Sequence, residues 1–351
     1  MVLSHSLCVK ATKYRNAHRL EKRELTSFRV NVSCMRYIFS PWPPKVRSPP
    51  AAPLIKKPMQ PRPPTVPLAP NAIQKGTPLK VLMNQESIEC LAQNILYVHK
   101  AFPAEAFCQH ALTNLEPLEL MQRAQHIAKS LREFLPGNYQ QAVSILIDSF
   151  TPADTEVGTL GLAGFFYMPH SFFIADFGLD PSYNDGNDPF DISMQALREL
   201  TMRFTAEFAI RPFLIHHQVR TLEQVGKWLI DPNPHVRRLC SEGTRPKLPW
   251  GKRIQSFVAN PQPTLPILEH LKYDESLYVR RSVANHLGDI AKDHPEIAFS
   301  TCERWLKANA SNQLKWVVRH AVRYHAKKGD ARALEIRVKA KASLMRTKRG
   351  Q

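Results

Sequence analysis

Apolar residues recur at helical spacing along most of the chain beyond residue 79, and this spacing predicts an all-α fold. Pro136 and Gly137 end the second of these segments, and a third helix is predicted from Tyr139 to Phe150. Each of the first two segments has its apolar residues on one helix face. In the first they are Ile88, Leu91, Ala92, Ile95 and Leu96, and in the second Leu118, Met121, Ala124, Ile127, Ala128 and Leu131.

The pattern weakens between Thr151 and Asp191, where six aspartates and several glycines predict a long connection with short helices at most. Ser193 begins the next predicted helix. Its apolar positions continue until Pro212 interrupts them, because proline inside a helix removes a hydrogen bond and clashes with the preceding turn. These positions are Leu197, Leu200, Phe204 and Phe208, with Phe213 as a further candidate.

A repeat organises the second half of the chain. It consists of an aspartate, a short turn and then Val-Arg, with the Val-Arg pairs 43 and 39 residues apart. These spacings are close to the period of roughly 40 residues expected of HEAT helix pairs, so the sequence predicts an α-solenoid with a concave surface for an extended partner. The copies are Asp231 with Val236-Arg237, Asp274 with Val279-Arg280, and a looser Val318-Arg319.

The distribution of charged residues along the chain adds a second feature to this picture. The 351-residue chain has a formal net charge of +18, of which residues 1–80 carry +13 and residues 330–351 carry +5. The part between is neutral overall, but residues 81–199 carry −10 and residues 200–329 carry +10. The basic half predicts a polyanion partner, although an ordinary solvated surface would explain the same count.

The two ends of the chain differ in composition from the part between them. Residues 1–78 form a proline-rich, basic extension with too little periodic apolar content to bury a core, which predicts disorder. A transit peptide, a tail that adds loose DNA affinity and an upstream start of translation are open alternatives for it. The folded part is predicted over residues 79–336, followed by a basic tail at 337–351.

Cysteine spacing and hydropathy exclude several classes of protein. The six cysteines form no CxxC pair and have no zinc-type spacing with histidine, so we expect neither a metal site nor a disulfide framework. A reducing compartment fits this pattern best. No apolar run reaches the ~18 residues of a membrane span, and no secretory signal is expected.

Basic residues of the second half cluster at or near the starts of the second helices of the repeats. On a concave face they would contact successive phosphates, with helix N-termini adding backbone donors. Arg237 and Arg280 have an alternative role, because the first arginine of such a pair commonly binds the aspartate of its own repeat. The predicted DNA contacts are Arg238, Arg245, Lys247, Arg281, Arg319 and Arg323, the last two spaced to share a helix face with Lys327.

Three acidic residues inside this basic half need an explanation, because a carboxylate beside phosphates weakens DNA binding. Spacing alone favours ordinary helical ion pairs between residues three or four apart. By the same standard, Trp250 is a core residue rather than a ligand contact. The spacing-based pairs are Glu207 with Arg211, Glu242 with Arg245, and Asp289 with Lys292.

Four long strings carry a family resemblance. They read LTMRFTAEFAIRPFL (200–214), DPNPHVRRLCSEGTRPKLPWG (231–251), YVRRSVANHLGDIAKDHPE (278–296) and KWVVRHAVRYHAKKGDARAL (315–334). With an upstream part from Pro78 to Pro169 that is similar in order and length, they resemble the DNA alkylation repair family. Within it, the similarity is to the AlkC branch of HEAT-like-repeat DNA glycosylases.

This resemblance implies hydrolysis of the N-glycosidic bond of cationic alkylated bases, such as 3-methyladenine and 3-methylcytosine, in base excision repair and without base flipping. It implies that Glu207, Glu242 and Asp289 surround the lesion deoxyribose and orient a water, while Trp250 packs against the sugar. The expected partner is double-stranded DNA, and the expected location is the bacterial cytoplasm. We expect a monomer that uses no cofactor or metal.

Two further expectations concern the acidic residues. No conspicuous lysine accompanies them in the sequence, so a monofunctional hydrolase without lyase activity is expected. Gly288 precedes Asp289 where relatives tend to have asparagine, a change that would loosen the placement of that carboxylate. The alternative to an enzyme is a non-catalytic solenoid that binds DNA or a protein as a scaffold, which would need the basic clusters but not the carboxylates.

Overall fold

Helices account for the regular structure of the chain. The computed structural model describes residues 62–155, 160–307 and 309–341, and within these ranges it has sixteen α-helices and no strand. The predicted all-α class is therefore confirmed. The first six helices are α1 (Gln85–Val98), α2 (Ala104–Leu112), α3 (Leu120–Phe134), α4 (Tyr139–Asp148), α5 (Met168–Phe177) and α6 (Phe190–Thr201).

The second half contains the repeats. Its helices are α7 (Arg211–His216), α8 (Gln218–Trp228), α9 (Pro234–Gly243), α10 (Gln255–Ala259), α11 (Leu265–Leu271), α12 (Leu277–Asp293), α13 (Pro295–Leu306), α14 (Asn312–Ala321), α15 (Arg323–Lys327) and α16 (Ala331–Lys339). Short 3₁₀ helices occur at Leu79–Leu82, Gly161–Tyr167, Pro181–Asn184 and Gln262–Thr264.

One row of helices runs through the solenoid. Helix α1 packs on α4, α4 on α6, α6 on α9, α9 on α12 and α12 on α14. Because each helix buries apolar residues against the next, the row builds the core by repetition, as the predicted solenoid requires. The row also brings side chains that are about 40 residues apart in sequence next to one another.

Salt bridges connect successive members of the row, in a different way from the predicted one. Arg237 reaches the aspartate of its own repeat only at the Asp231 backbone carbonyl, at 2.9 Å. Its Nε donates to the carboxylate of Asp274 in the next repeat, at 2.7 Å from Oδ2. Arg198 makes the equivalent link from α6 to Asp231 at 2.8 Å. Each aspartate also accepts from a backbone N–H at its helix start, so it fixes both its own turn and the preceding helix.

The third copy of the repeat lies in another register than the sequence suggested. Ser311 caps α14 as Asn233 caps α9, so Leu314-Lys315 takes the Val-Arg place and Asn309 the aspartate place. The hydrogen bond between His320 Nε2 and Asn285 Oδ1 agrees with an offset of about 35 residues between α12 and α14. The Val318-Arg319 pair is therefore one turn too late. The repeat lacks an aspartate, and Arg280 donates to backbone carbonyls only.

The structure differs from the helix predictions in several places. Helix α2 was not predicted. Helix α5, ten residues long, lies in the expected long connection, and its apolar residues surround it and leave no periodic pattern. The helix predicted from Ser193 runs from Phe190 to Thr201 and so ends well before Pro212. Pro212 lies in the first turn of α7, a position to which proline is well suited, rather than interrupting a helix.

The chain is packed on both sides of the predicted domain boundaries. Before residue 79, the Thr65 backbone N–H donates to Asn94 Oδ1 at 3.1 Å, and its carbonyl accepts from Asn94 Nδ2 at 2.7 Å. Residues 62–78 therefore lie partly against α1, because extended proline-rich backbone leaves its polar groups available to side chains. At the other end, α16 continues to Lys339. The remainder of the predicted extension and tail lies outside the described residues.

Three further features of the described residues concern cysteines, helix hydropathy and metal-ligating side chains. Cys90, Cys108, Cys240 and Cys302 are buried free thiols. No described helix is long and apolar enough to cross a membrane. In the same ranges, no cluster of three metal-ligating His, Cys, Asp or Glu side chains occurs.

Candidate functional site

The three acidic residues singled out in the sequence meet in one place. Glu207, Arg238, Glu242, Arg245 and Asp289 alternate in charge, and each contacts the next; we call them the carboxylate–arginine chain. They come from the segment after α6, from α9 and the loop behind it, and from α12. The row of helices is what assembles them, since neighbouring row members supply facing side chains.

Glu207 occupies one end of this chain and lies in a turn, not in the predicted helix. Its carboxylate accepts from Thr205 Oγ1 at 2.6 Å and forms an ion pair with Arg238. Arg238 also donates to Thr205 Oγ1 at 2.7 Å. The spacing-based pair with Arg211 is therefore absent, because residues 207 and 211 do not share a helix face here.

Glu242 lies in the middle of the chain, near the end of α9. Its Oε1 is 2.5 Å from Arg245 Nη1 and 3.5 Å from Arg238 Nη2, and Ser282 Oγ donates to its Oε2 at 2.6 Å. Burial raises the pKa of the Glu242 carboxyl, but the two arginines and the serine outweigh it and hold this pKa below its usual range. The carboxylate is therefore ionised at neutral pH.

Asp289 forms the other end, on the buried side of α12. Arg245 contacts its Oδ2 from Nη2 at 2.6 Å and from Nε at 2.7 Å, and Lys292 Nζ is 2.8 Å from its Oδ1. Two of the three spacing-based pairs are thus present, and they are part of the assembled site rather than an alternative to it. The expectation of no lysine among these acids was wrong, since Lys292 follows Asp289 by less than one helical turn.

Arg211, which the sequence spacing paired with Glu207, is a buried arginine that holds the backbone next to the carboxylate–arginine chain. Arg211 is almost fully buried, and its guanidinium donates to the carbonyls of Gly243 at 3.0 Å, Arg245 at 2.9 Å and Pro246 at 3.4 Å, and also to that of Lys252. Burial lowers its pKa to about 10, which leaves it charged at neutral pH. The sequence signal was a lone arginine in the apolar run FAIRPFLI (208–215).

Arg211 thereby fastens the loop between α9 and α10, which carries Arg245 and Trp250. Trp250 is 71% exposed and has a φ of +64°, the left-handed region that non-glycine residues rarely adopt. The prediction of a core tryptophan was wrong. An exposed indole on strained backbone beside a buried anchor is typical of a residue that contacts a ligand.

His286 ties α9 to α12 beside the acidic residues. Its Nδ1 lies 2.9 Å from the Ser241 carbonyl, and burial, with the charge of Arg245, lowers its pKa to about 4. The imidazole is therefore neutral at pH 7 and acts as a hydrogen-bonding spacer between the helices. No periodic pattern in the sequence indicated this role.

The arginines and lysine predicted to contact DNA divide into two groups. Arg238 and Arg245 are 14% and 9% exposed and bind carboxylates, and Lys247 Nζ is 2.5 Å from Asp293. Arg281 and Arg323 are exposed, and among the described residues neither forms an ion pair. Their DNA contacts remain predictions.

The predicted basic stripe on one helix is not formed. Helix α14 ends at Ala321 and α15 begins at Arg323, so Arg319 and Arg323 diverge. Arg319 donates to the carbonyl of Ala340 behind α16, whereas Arg323 Nη2 donates to Asn285 on α12 at 3.0 Å. A contact between Arg319 and DNA likewise remains a prediction.

Comparison with known proteins gives this arrangement a context. No protein-family model matches the chain. A curated relative, the uncharacterized protein YhaZ of Bacillus subtilis (strain 168), is 37% identical over 259 residues, which are 74% of this chain and 67% of the relative. The solved structure of Pseudomonas fluorescens alkylpurine DNA glycosylase AlkC bound to DNA containing an abasic site analog is similar at 40% identity and a TM-score of 0.64. The chain belongs to the AlkC-type family.

The similarity to AlkC covers 74% of this chain and 67% of that protein, which accommodates the whole helical row. The resemblance carried by the four strings is confirmed at the level of the family. In this AlkC-type protein Gly288 does not displace Asp289: α12 continues through it, and a Cβ there would lie 3.0 Å from the Ala321 carbonyl. The glycine instead allows α14 to approach α12 closely.

Proposed function

We propose that the protein is a monofunctional DNA glycosylase that hydrolyses the N-glycosidic bond of cationic alkylated bases, of the 3-methyladenine and 3-methylcytosine type, in double-stranded DNA. The observation that carries this proposal is the carboxylate–arginine chain, in which Glu207, Glu242 and Asp289 gather from three separate segments. Membership of the AlkC-type family supports it.

The chemistry requires negative charge where the sugar becomes positive. As the bond from C1′ to the base nitrogen breaks, its electrons move to the cationic base, which leaves neutral, and the deoxyribose acquires oxocarbenium character. Fixed carboxylates stabilise that charge. A water oxygen bonds to C1′ and its proton passes to a carboxylate or to solvent, which gives a free base and an abasic site.

The arginines of the chain favour this role for the carboxylates. Arg238 and Arg245 keep the acids charged and restrict their rotamers, so little reorganisation is needed when the sugar charge develops. Three carboxylates face two arginines within this cluster, and Lys292 at Asp289 is a third cation at its edge. Trp250, exposed on the loop behind Arg245, would pack against the sugar.

A lyase activity would require a neutral amine that attacks C1′. Lys292 is the lysine within reach of the acids, and its ammonium is engaged by Asp289 at 2.8 Å. We therefore expect hydrolysis alone. Incubation with lesion-containing duplex and borohydride should give no covalent protein–DNA product, whereas a trapped adduct that disappears in Lys292→Gln would contradict a monofunctional mechanism.

The reaction is proposed to proceed without rotating the base into a pocket. Carboxylates that face a bent duplex would reach the sugar from outside the helix. We propose that the protein acts as a monomer in the bacterial cytoplasm, without metal or cofactor.

The direct test incubates the purified protein with methylated duplex DNA and quantifies released 3-methyladenine by chromatography. Glu242→Gln should reduce release strongly, and Glu275→Gln, the same change at a side chain that is 88% exposed, should not. No release above a protein-free control would refute the enzymatic proposal. It would favour a DNA-binding scaffold, which needs none of these carboxylates.

A further inference from the structure

Next to Asp289, the row of helices presents a second charged group, which we call the arginine–histidine cluster. It consists of Arg281 and Asn285 on α12, His320 on α14 and Arg323 on α15. His320 Nε2 lies 3.1 Å from Asn285 Oδ1, and Arg323 Nη2 donates to the same oxygen at 3.0 Å. Because that oxygen accepts from Arg323, its contact with His320 requires a proton on Nε2.

The cluster is held in place by its surroundings. Arg323 Nη1 donates to the His320 carbonyl at 2.6 Å, and the His320 ring stacks on Trp316 with centroids 5.0 Å apart and planes 13° apart. Arg323 and His320 are thus fixed on one face, and exposed Arg281 lies near enough to act on His320 through its charge. An exposed arginine is normally mobile, so the positioning of Arg323 costs conformational freedom that a function must explain.

Among the described residues, no carboxylate forms an ion pair with Arg281 or Arg323, which distinguishes this cluster from the carboxylate–arginine chain. The charges facing His320 are Arg281 and Arg323, and Arg323 also senses Asp289 and Arg245. Burial and the two arginines lower the pKa of His320 to about 4. The cluster therefore has an excess of positive charge and a histidine that would become a third cation beside an anion.

We propose that Arg281, His320 and Arg323 bind one phosphodiester of the DNA strand, next to the nucleotide that faces Asp289. Position follows from α12, since Asn285 and Asp289 are one turn apart on the same face. Guanidinium groups match phosphate oxygens in charge and geometry. This inference rests on the proposed function for the identity of the nucleotide, but not for phosphate binding itself.

A bound phosphate has a consequence for protons. It raises the pKa of His320 from its free value of about 4, so binding takes up protons in the pH range between the free and bound values. DNA affinity should therefore rise as the pH falls through the bound pKa and level off below the free one.

The test uses the full chain and duplexes that contain one tetrahydrofuran abasic-site analogue, with a neutral methylphosphonate replacing each neighbouring linkage in turn. Wild-type affinity should fall roughly tenfold at one linkage beside the analogue, the order of a charge-assisted contact. His320→Gln, which keeps a donor for Asn285, and Arg281→Ala should be less sensitive at that linkage alone. Arg304→Ala, an exposed arginine elsewhere, is the matched control and should retain the wild-type profile.

Calorimetry of the same binding near pH 6, in buffers of different ionisation enthalpy, should show proton uptake by the wild type and its loss in His320→Gln. Equal sensitivity at every linkage, an unchanged profile in His320→Gln, or absence of proton uptake would overturn the proposal. Melting temperatures of the variants exclude unfolding as a cause. Because binding needs no base release, an inactive protein with this profile would refute the glycosylase proposal and leave the phosphate site standing.

Discussion

The carboxylate–arginine chain and the arginine–histidine cluster lie side by side and use the same residue type in opposite ways. In the first, Arg245 is buried, Arg238 is 14% exposed, and both are engaged by carboxylates. In the second, Arg281 and Arg323 are exposed, with no ion pair among the described residues. The difference shows that an arginine in a basic stretch of sequence is not by itself an anion site: its partners decide whether it fixes an acid or remains available to an anion.

The largest expected effect comes from removing Arg211, which anchors the backbone of the carboxylate–arginine chain. Arg211→Met would leave the carbonyls of Gly243, Arg245 and Pro246 without their buried donor, which we expect to destabilise the protein by about 3–5 kcal/mol. Chemical denaturation measures this loss. Arg211→Lys should recover part of it, and an unchanged stability in Arg211→Met would contradict the anchoring role.

The next prediction compares one arginine from the carboxylate–arginine chain with one from the arginine–histidine cluster. Arg245→Met should lower base release by about 100-fold, the order lost with one electrostatic group of a site, while the salt dependence of DNA binding stays the same. Arg281→Ala should instead reduce the slope of log affinity against log salt concentration by about one. Fluorescence anisotropy at several salt concentrations gives the slope; the same slope change in both variants would remove the distinction.

The pH dependence of stability tests the charge state of Glu242 in the carboxylate–arginine chain. Its folded pKa lies below the ordinary value of 4.5, so its contribution to stability is present above pH 4.5 and is lost as the pH falls through the folded value. The melting-temperature difference between wild type and Glu242→Gln should therefore be largest near neutral pH and shrink in acid. A difference that grows on acidification would show that the carboxyl is not stabilised in its charged form.

The smallest expected effect concerns the junction of the two groups. A Cβ on Gly288 would lie 3.0 Å from the Ala321 carbonyl, so Gly288→Ala combines a gain in helix propensity with a small shift of α14. We expect a stability change within about 1 kcal/mol. In Gly288→Ala, the rate of base release should fall less than the DNA affinity that depends on the phosphate site. The reason is that His320 moves with α14, whereas Asp289 stays on α12.

Much of the architecture could be predicted from the sequence, because helices of the repeats bury one face and therefore keep a 3.6-residue period. The exceptions have physical causes. Helix α5 is apolar all round, so it has no period to detect. The third repeat has Asn309 in place of the aspartate, so its most visible Val-Arg pair was out of register.

The candidate site was predicted in its members but not in its arrangement. Sequence spacing identified the pairs of Glu242 with Arg245 and of Asp289 with Lys292, since both are local. It could not show that Arg238 binds Glu207, because that contact depends on how the segment after α6 meets α9. His320 and Arg211 were missed for the same reason: their partners are 32 to 41 residues away or on other helices.

The measurement that tests the account most directly compares Asp289→Asn with the wild type in two assays on the same preparation. Asparagine keeps an oxygen for Arg245 but removes the negative charge that the sugar needs. We predict that single-turnover release of 3-methyladenine falls by at least about 100-fold, while affinity for the abasic-analogue duplex is unchanged or improved. Release at the wild-type rate, or a parallel loss of affinity, would contradict the assignment of chemistry to the carboxylates.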